Sequence, residues 1–456
     1  MKLTLYRGRR RRAAAGAGLA AVLLAGCAHY RPLPLATTPP LAPNLAQERG
    51  GFPVGQPLNV GEVVRLTLEN NPDLRAGRAR RGVAGAQLLQ ARILPNPTFS
   101  GAFLPLLSGV GTSPAFSIGI TQNIRALITY RTRRREAEFV QAQVYADVLW
   151  QEWQVAGLAR QLAVELMVEA RARTSYAQAY DLLARRNAVL QRALAAGNAT
   201  LVTAAPSLVG FQAARTNLQA LDQRQLARRH RLNALMGLVP DAVVPLAGTP
   251  DLPPFDAAQI RASLATMPDR RPDLLALRLG YQAQDQLIRQ QILSQFPDMV
   301  LGGGVNRDNA HVVNAGPQIS IGVPIFDRNQ GNIAFAQATR ARLNAEYAAR
   351  LATTAGEVGA FLTEMAQVSE QIAIVRRDLP AARLAAERAA AAFGTSNLDE
   401  RSYVELVTNR YTKEEQIMAL ELALYDRQIA LQTLTGAGLP SVETLPPVRA
   451  AKVARR

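Results

Sequence analysis

Hydrophobic and polar positions alternate with period two in two places along the chain. Phe116, Ile118 and Ile120 alternate with Ser117, Gly119 and Thr121, and Ile319, Ile321 and Val323 alternate with Ser320 and Gly322. That period predicts strands with one apolar face. The stretches Thr98–Phe103 and Asp298–Val305 predict partner strands, with a weaker pattern because of their glycines. Around these runs the period becomes helical. Helices are expected to begin near Pro72 and Pro272, because a proline in the first turn gives up an N–H that would have no partner there. The first continues through Ala84, Leu88 and Leu89, and the two end before Pro97 and Pro297. No proline lies between Pro114 and Pro206 and no glycine between Arg131 and Gln154, so a helix is expected from about Thr132 to Ala196. At 1.5 Å per residue it would run roughly 100 Å. Return helices carry coiled-coil steps at Ile417, Leu420, Leu424, Leu431 and Leu434, and at Leu208, Phe211, Leu218 and Leu221. Pro380 is expected to kink the second long helix.

The pattern is written twice. Asn71-Pro72-Asp73-Leu74 is echoed by Arg271-Pro272-Asp273-Leu274, and Ile93-Leu94 with Pro97 by Ile292-Leu293 with Pro297. Ser117–Ile120 matches Ser320–Val323, Gly197 matches Gly394, and Leu232–Gly237 matches Leu431–Gly436. Matches in one order at offsets between 197 and 203 residues imply a duplicated unit: helix, strand pair, long helix, glycine turn, return helix. Two units supply four strands. Four strands cannot close a membrane barrel, which starts at about eight. An open sheet in lipid would leave backbone groups unpaired at a cost of several kcal/mol each. If these strands enter a membrane, several copies must share the barrel.

Composition narrows the classes. The formal charge is +17, six of the positive charges fall in the first 26 residues, and the remaining arginines are interspersed with acids along helical stretches. That reads as solvated helix faces, not a nucleic-acid surface. His29, His230 and His311 are scattered, which predicts no metal site, and no cofactor is expected. There is no GxSxG, HExxH, phosphate loop or Cys–His pair, so no enzyme activity is expected. Gly302-Gly303-Gly304 lacks the lysine and helix start of a phosphate cradle.

The one cysteine, Cys27, closes Leu24-Ala25-Gly26-Cys27 behind a basic segment and the short apolar run Ala13–Leu24. This is the layout of an export signal. The tetrapeptide resembles a bacterial lipobox, whose cysteine takes a lipid. With Ala28 following, the expectation is a lipid-anchored protein of the outer membrane extending into the periplasm.

Export signal, tandem repeat, NPDL-like starts, strand pairs and long helices together resemble the TolC-like outer membrane efflux factors, from about Pro57 to Pro440. The run Gly322-Val323-Pro324-Ile325-Phe326-Asp327-Arg328-Asn329-Gln330-Gly331-Asn332 is similar to the CzcC-type subgroup of heavy-metal efflux systems, and marks Pro324, Phe326 and Gly331 at the strand-to-helix junction. In the first copy Thr121-Gln122-Asn123-Ile124 stands there instead. The resemblance implies a mainly α fold with a small membrane β part. In it a tandem-repeat helical tunnel carries four strands per chain, which contribute to a trimeric twelve-stranded β-barrel. It divides the chain into a signal peptide (1–26), an anchored extended segment (27–56), a first repeat (57–250), a second repeat (251–440) and a basic tail (441–456). Strands would lie at about 97–124 and 297–326, and Gly197 and Gly394 at periplasmic tips.

The function implied is the passive duct of a tripartite efflux system. Its partners would be a periplasmic membrane-fusion adaptor, an RND-type inner-membrane pump and outer membrane lipid, with metal cations as cargo. Multidrug efflux and type I secretion are the alternatives of the same class. By resemblance, Asp399 and Glu400 are the candidate gate, the other reading being an acidic helix start. Arg131, Arg133, Arg134 and Arg135 read as solvated or paired with Glu136 and Glu138. A periplasmic coiled-coil adaptor or a structural envelope lipoprotein would explain the helices but not the strands.

Overall fold

The computed structural model describes residues 30–53, 55–436 and 439. The signal, Cys27 and the basic tail lie outside the described residues. Residues 30–41 form a unit of their own without helix or strand; the remainder forms a second unit.

In the second unit, one 3-10 turn (Leu45–Gln47) precedes α1 (Val60–Asn70), α2 (Pro72–Arg92), β1 (Thr98–Leu104) and β2 (Ala115–Asn123). There follow α3 (Ile124–Ile128), α4 (Tyr130–Ala195) and α5 (Leu201–Met236). The second copy holds α6 (Ala257–Ser263), α7 (Met267–Arg270), α8 (Pro272–Leu293), β3 (Met299–Arg307), β4 (Val313–Ile321), α9 (Gln330–Gly394) and α10 (Glu400–Thr435). The mainly helical fold with a small β part is borne out. α4 has 66 residues, about 99 Å at the helical rise.

The copies start differently. Asn71 caps α2 by accepting from the Leu74 N–H at 2.8 Å, and its amide donates to the Leu235 carbonyl at 2.8 Å. Arg271 gives α8 no side-chain cap. It turns inward, donating from Nε to Asp273 Oδ1 (2.9 Å), from Nη2 to Oδ2 (2.6 Å) and from Nη1 to Thr354 Oγ1 (2.8 Å). α9 is continuous through Pro380, and α5 through Pro206. α5 and α10 end alike, on left-handed Gly237 (φ +81°) and Gly436 (φ +78°). A Cβ on Gly436 would stand 2.3 Å from the buried Trp153 ring, so no other residue fits there without moving the indole.

Packing makes α4 central and α9 peripheral. Near the strands α4 packs on α2 and α8, through Ala142 and Ala146 against Leu275, Ala276 and Leu279. Further along, it packs on α5 and α10. Ala179 and Leu183 there meet Ala386 and Ala389 of α9 and Tyr403, Val404 and Val407 of α10. At the midpoint of α4, Ala159, Leu162, Ala163 and Leu166 form a core with Leu45, Phe52, Leu58, Val63, Leu66 and Met236. α9, nearly equal in length to α4, packs on α8 and α10 and buries far fewer residues. No described helix is long and apolar enough to cross a membrane.

Candidate functional site

The four strands form one antiparallel sheet in the order β1-β2-β3-β4, so the two copies join at β2–β3 and both outer edges are open. Its register sorts the side chains. Phe99 faces Ile120, Ile120 faces Gly303, and Gly303 faces Pro317; Gly101, Ile118, Val305 and Ala315 form the next row. Leu301 stands opposite Ile319, and Phe103 opposite Phe116. Alternation in a strand puts all of these on one face. The other face carries Ser100, Ser117, Thr121, Asn306, Gln318 and Ser320, with Gly119, Gly302, Gly304 and Gly316 between them. The apolar face is uncovered: Phe99 is 71% exposed, Ile120 56% and Ile319 64%. Such a patch, held on strands of seven to nine residues, is built to meet an apolar surrounding. The triple glycine belongs to the sheet itself. A Cβ at Gly302 would stand 2.3 Å from the Ile120 carbonyl oxygen, so the close approach of β2 and β3 needs glycine there.

Where sheet meets helix, the copies diverge. Asn123 caps the short α3 by accepting from the Ala126 N–H (3.0 Å), and its amide donates to Asp298 (3.0 Å). In the second copy Pro324 and Phe326 lie in a turn without helix, and the Phe326 ring is 91% exposed. Asn329, at φ +62°, donates to the Gln291 carbonyl (2.7 Å) and fixes the start of α9. Gly331 has open space around it. Below the first junction, Glu138 pairs with Arg134 (3.0 Å) and Arg92 (3.4 Å), and Arg133 donates to the Ile93 carbonyl (3.0 Å). The arginine cluster is thus partly absorbed by its own neighbours.

At the far ends of α4 and α9 the chain reverses twice by the same device. Gly197 (φ +75°) donates to Leu194, and Asn198 to Ala193 at 2.8 Å. Ser396 (φ +60°) donates to Phe393, and Asn397 to Ala392 at 2.9 Å. Both are left-handed helix ends with a closing bond five residues back. The second left-handed residue is therefore Ser396 and not Gly394, which ends α9 as a helical residue. A non-glycine residue there costs about 1 kcal/mol, and the sequence match to the nearest glycine misplaced the turn by two residues. The caps of the return helices correspond as well. Thr200 accepts from the Thr203 N–H (3.3 Å), and Asp399 from the Ser402 N–H (2.9 Å).

The structure separates the two acids at the second tip. Asp399 is exposed, and the bond from the Ser402 N–H, aided by the Ser402 hydroxyl, holds its carboxyl below the usual range. Glu400 is buried and takes a fork from Arg186 of α4, with Nε at 3.0 Å from Oε1 and 2.7 Å from Oε2. The same guanidinium lies 4.3 Å over the Phe393 ring, which stacks on Tyr403 at 4.7 Å. Glu400 is thus neutralised within the chain and ties α4, α9 and α10 together. Its partner, 214 residues away, had no signal in the sequence. Among the described residues no group of three or more His, Cys, Asp or Glu could hold a metal ion.

Residues 266–437 match the family model "Outer membrane efflux protein". The chain is 26% identical over 297 residues to the cobalt-zinc-cadmium resistance protein CzcC of Cupriavidus metallidurans, covering 63% of this chain and 68% of that one. Among solved structures, CusC matches with a TM-score of 0.65 at 17% identity, covering 90% of this chain and 100% of that one. The Campylobacter jejuni outer membrane channel CmeC matches with a TM-score of 0.69 at 14% identity, covering 90% and 94%. The resemblance read from the sequence is borne out: residues 266–437 match the outer membrane efflux protein model, and nine-tenths of the chain's length has the fold of CusC and CmeC.

Proposed function

We propose that this protein is the outer membrane duct of a tripartite efflux system, a homotrimer anchored through a lipid on Cys27. The observation that carries the reading is the open sheet with one apolar and one polar face. Rolled up with two further copies, it puts Phe99, Ile118, Ile120 and Ile319 against lipid and Ser117, Thr121 and Gln318 toward water. Three copies make twelve strands, β4 of each pairing with β1 of the next, and no edge is left unpaired in the bilayer. The sparse burial of α9 supports the same arrangement, since a peripheral helix of this length suits a neighbouring copy.

The cargo we assign is divalent metal cations, supported by the likeness to CzcC and by the Gly322–Asn332 run. A water-filled duct needs no binding pocket, so selection would rest with the inner-membrane pump, met through a periplasmic adaptor at the hairpin tips. Deleting the protein from its host is expected to lower tolerance to cobalt, zinc and cadmium several-fold, with wild-type protein restoring it. Lost tolerance to drugs instead would overturn the cargo and leave the duct standing. Absence of channels when the purified protein is added to planar bilayers would overturn the duct.

The tip geometry changes what a gate here would be. With Glu400 paired, only Asp399 is left to form a ring of free acids, and the closing element we assign is instead the Arg186–Glu400 fork holding α4 to α10. Glu400→Ala is expected to loosen the tip by about 2 kcal/mol, a buried pair broken at a partly exposed arginine, and to raise single-channel conductance. Asp399→Ala removes a helix cap and should leave conductance unchanged. The reverse pattern would restore the acidic ring.

A further inference from the structure

Residues 42–53 run as a strap across the midpoint of α4. Its start is clamped by the Ala42 N–H donating to the Gly237 carbonyl (3.0 Å) and the Val239 N–H donating to the Ala42 carbonyl (3.0 Å). Its middle is clamped by Asn70, which accepts from the Arg49 N–H (3.0 Å) and donates to the Arg49 carbonyl (3.1 Å). Leu45 and Phe52 enter the core on either side. Between them lies Glu48, 8% exposed, and neither carboxylate oxygen has a hydrogen-bond partner. A buried carboxylate without donors is strongly disfavoured as an anion.

The neighbours do not relieve it. On α2, Arg75 is the charge that acts against burial. On α1, the Arg65–Glu69 pair flanks Gly50 and is satisfied within itself at 3.3 Å. The core residues from α4, α5 and the following segment are apolar, among them Leu162, Leu166, Met236 and Leu238. We propose that Glu48 makes the strap a proton-controlled latch, docked while its carboxyl is protonated and released as the carboxyl ionises.

Burial, opposed by Arg75, pushes this carboxyl from 4.5 to about 7. The raised value fixes the sign. Docking is fully favoured below the ordinary glutamate range and weakens as pH climbs toward and past 7. With a docked value near 7 and a released value near 4.5, the opening equilibrium rises roughly tenfold between about pH 6 and about pH 8.

Hydrogen exchange of the full-length, detergent-solubilised protein reads this directly, once rates are corrected for the intrinsic effect of pH. The probes are the strap amides of Glu48, Gly51 and Phe52, which donate to carbonyls within the strap. Wild type is expected to lose about tenfold of its strap protection over that range, while amides in the middle of α4 keep theirs. Glu48→Gln and Glu48→Met should remove the pH dependence, and Arg75→Gln should move its midpoint to higher pH. A flat profile in wild type would overturn the latch whatever the variants do. So would a profile in Glu48→Met that matches wild type.

Discussion

Asp273→Ala is expected to cost about 3–5 kcal/mol of folding stability, because it strands a buried guanidinium without its counter-charge. The Arg271 side chain is 3% exposed; it is held by the two-point fork to Asp273, by Thr354, and by the Trp150 ring 4.9 Å below it. The opposite single change, Arg271→Ala, should cost less, about 2 kcal/mol. Arg350 remains 3.4 Å from the Asp273 carboxylate and can neutralise it. Arg271→Lys should not restore stability, since an ammonium cannot reproduce the fork. Replacing both residues by leucine is expected to cost little, as paired removal leaves no orphan charge. Thermal unfolding of these variants, with the Arg271→Ala, Asp273→Ala double variant closing the double-mutant cycle, checks this. If the two single losses simply added in the double variant, the fork would be incidental to the fold.

If the apolar face meets lipid as proposed, an arginine in place of Ile118 is expected to cost about 2–4 kcal/mol of sheet stability, the penalty for a lipid-facing cation near mid-membrane. Ser117→Arg, one residue away, should be tolerated, because its side chain points to the polar face. The pair shares strand, depth and chemistry and differs only in side. The yield of heat-modifiable oligomer in outer membrane fractions separates them. Equal yields would mean that the apolar face does not meet lipid.

Much of this was legible because it depends on local periodicity. The alternation at Phe116–Thr121 led to β2, and the prolines at 72 and 272 marked the starts of α2 and α8. The absence of breakers from Arg131 onward announced α4. Local signals were also passed over. Asn59 and Glu62 make a reciprocal capping box at the start of α1, and that spacing stands in the sequence. The turn at Ser396 was hidden because Gly394, two residues earlier, is the residue that usually takes such a turn. What the sequence could not carry is pairing over distance. Nothing near Glu400 points to Arg186, and nothing in Arg271-Pro272-Asp273 says that its charges turn inward while Asn71 in the same place caps a helix. Side-chain destination is set by packing partners about 80 to 210 residues away, and one sequence does not encode those partners in any short pattern.

Pro317 sits near the middle of β4, on the free edge of the sheet. Within sheets proline is confined to places where its missing N–H faces away from the ladder, so the open side of β4 has a gap in its row of donors. Before assembly that edge is a hazard, an open strand with one uncovered apolar face offered to any other strand. A correct neighbour forfeits at most one bond across the gap and recovers it through the rest of the barrel. A stack of misassociated chains would forfeit one at every layer. A single imino acid thus tilts the competition between assembly and aggregation while the chain is still alone.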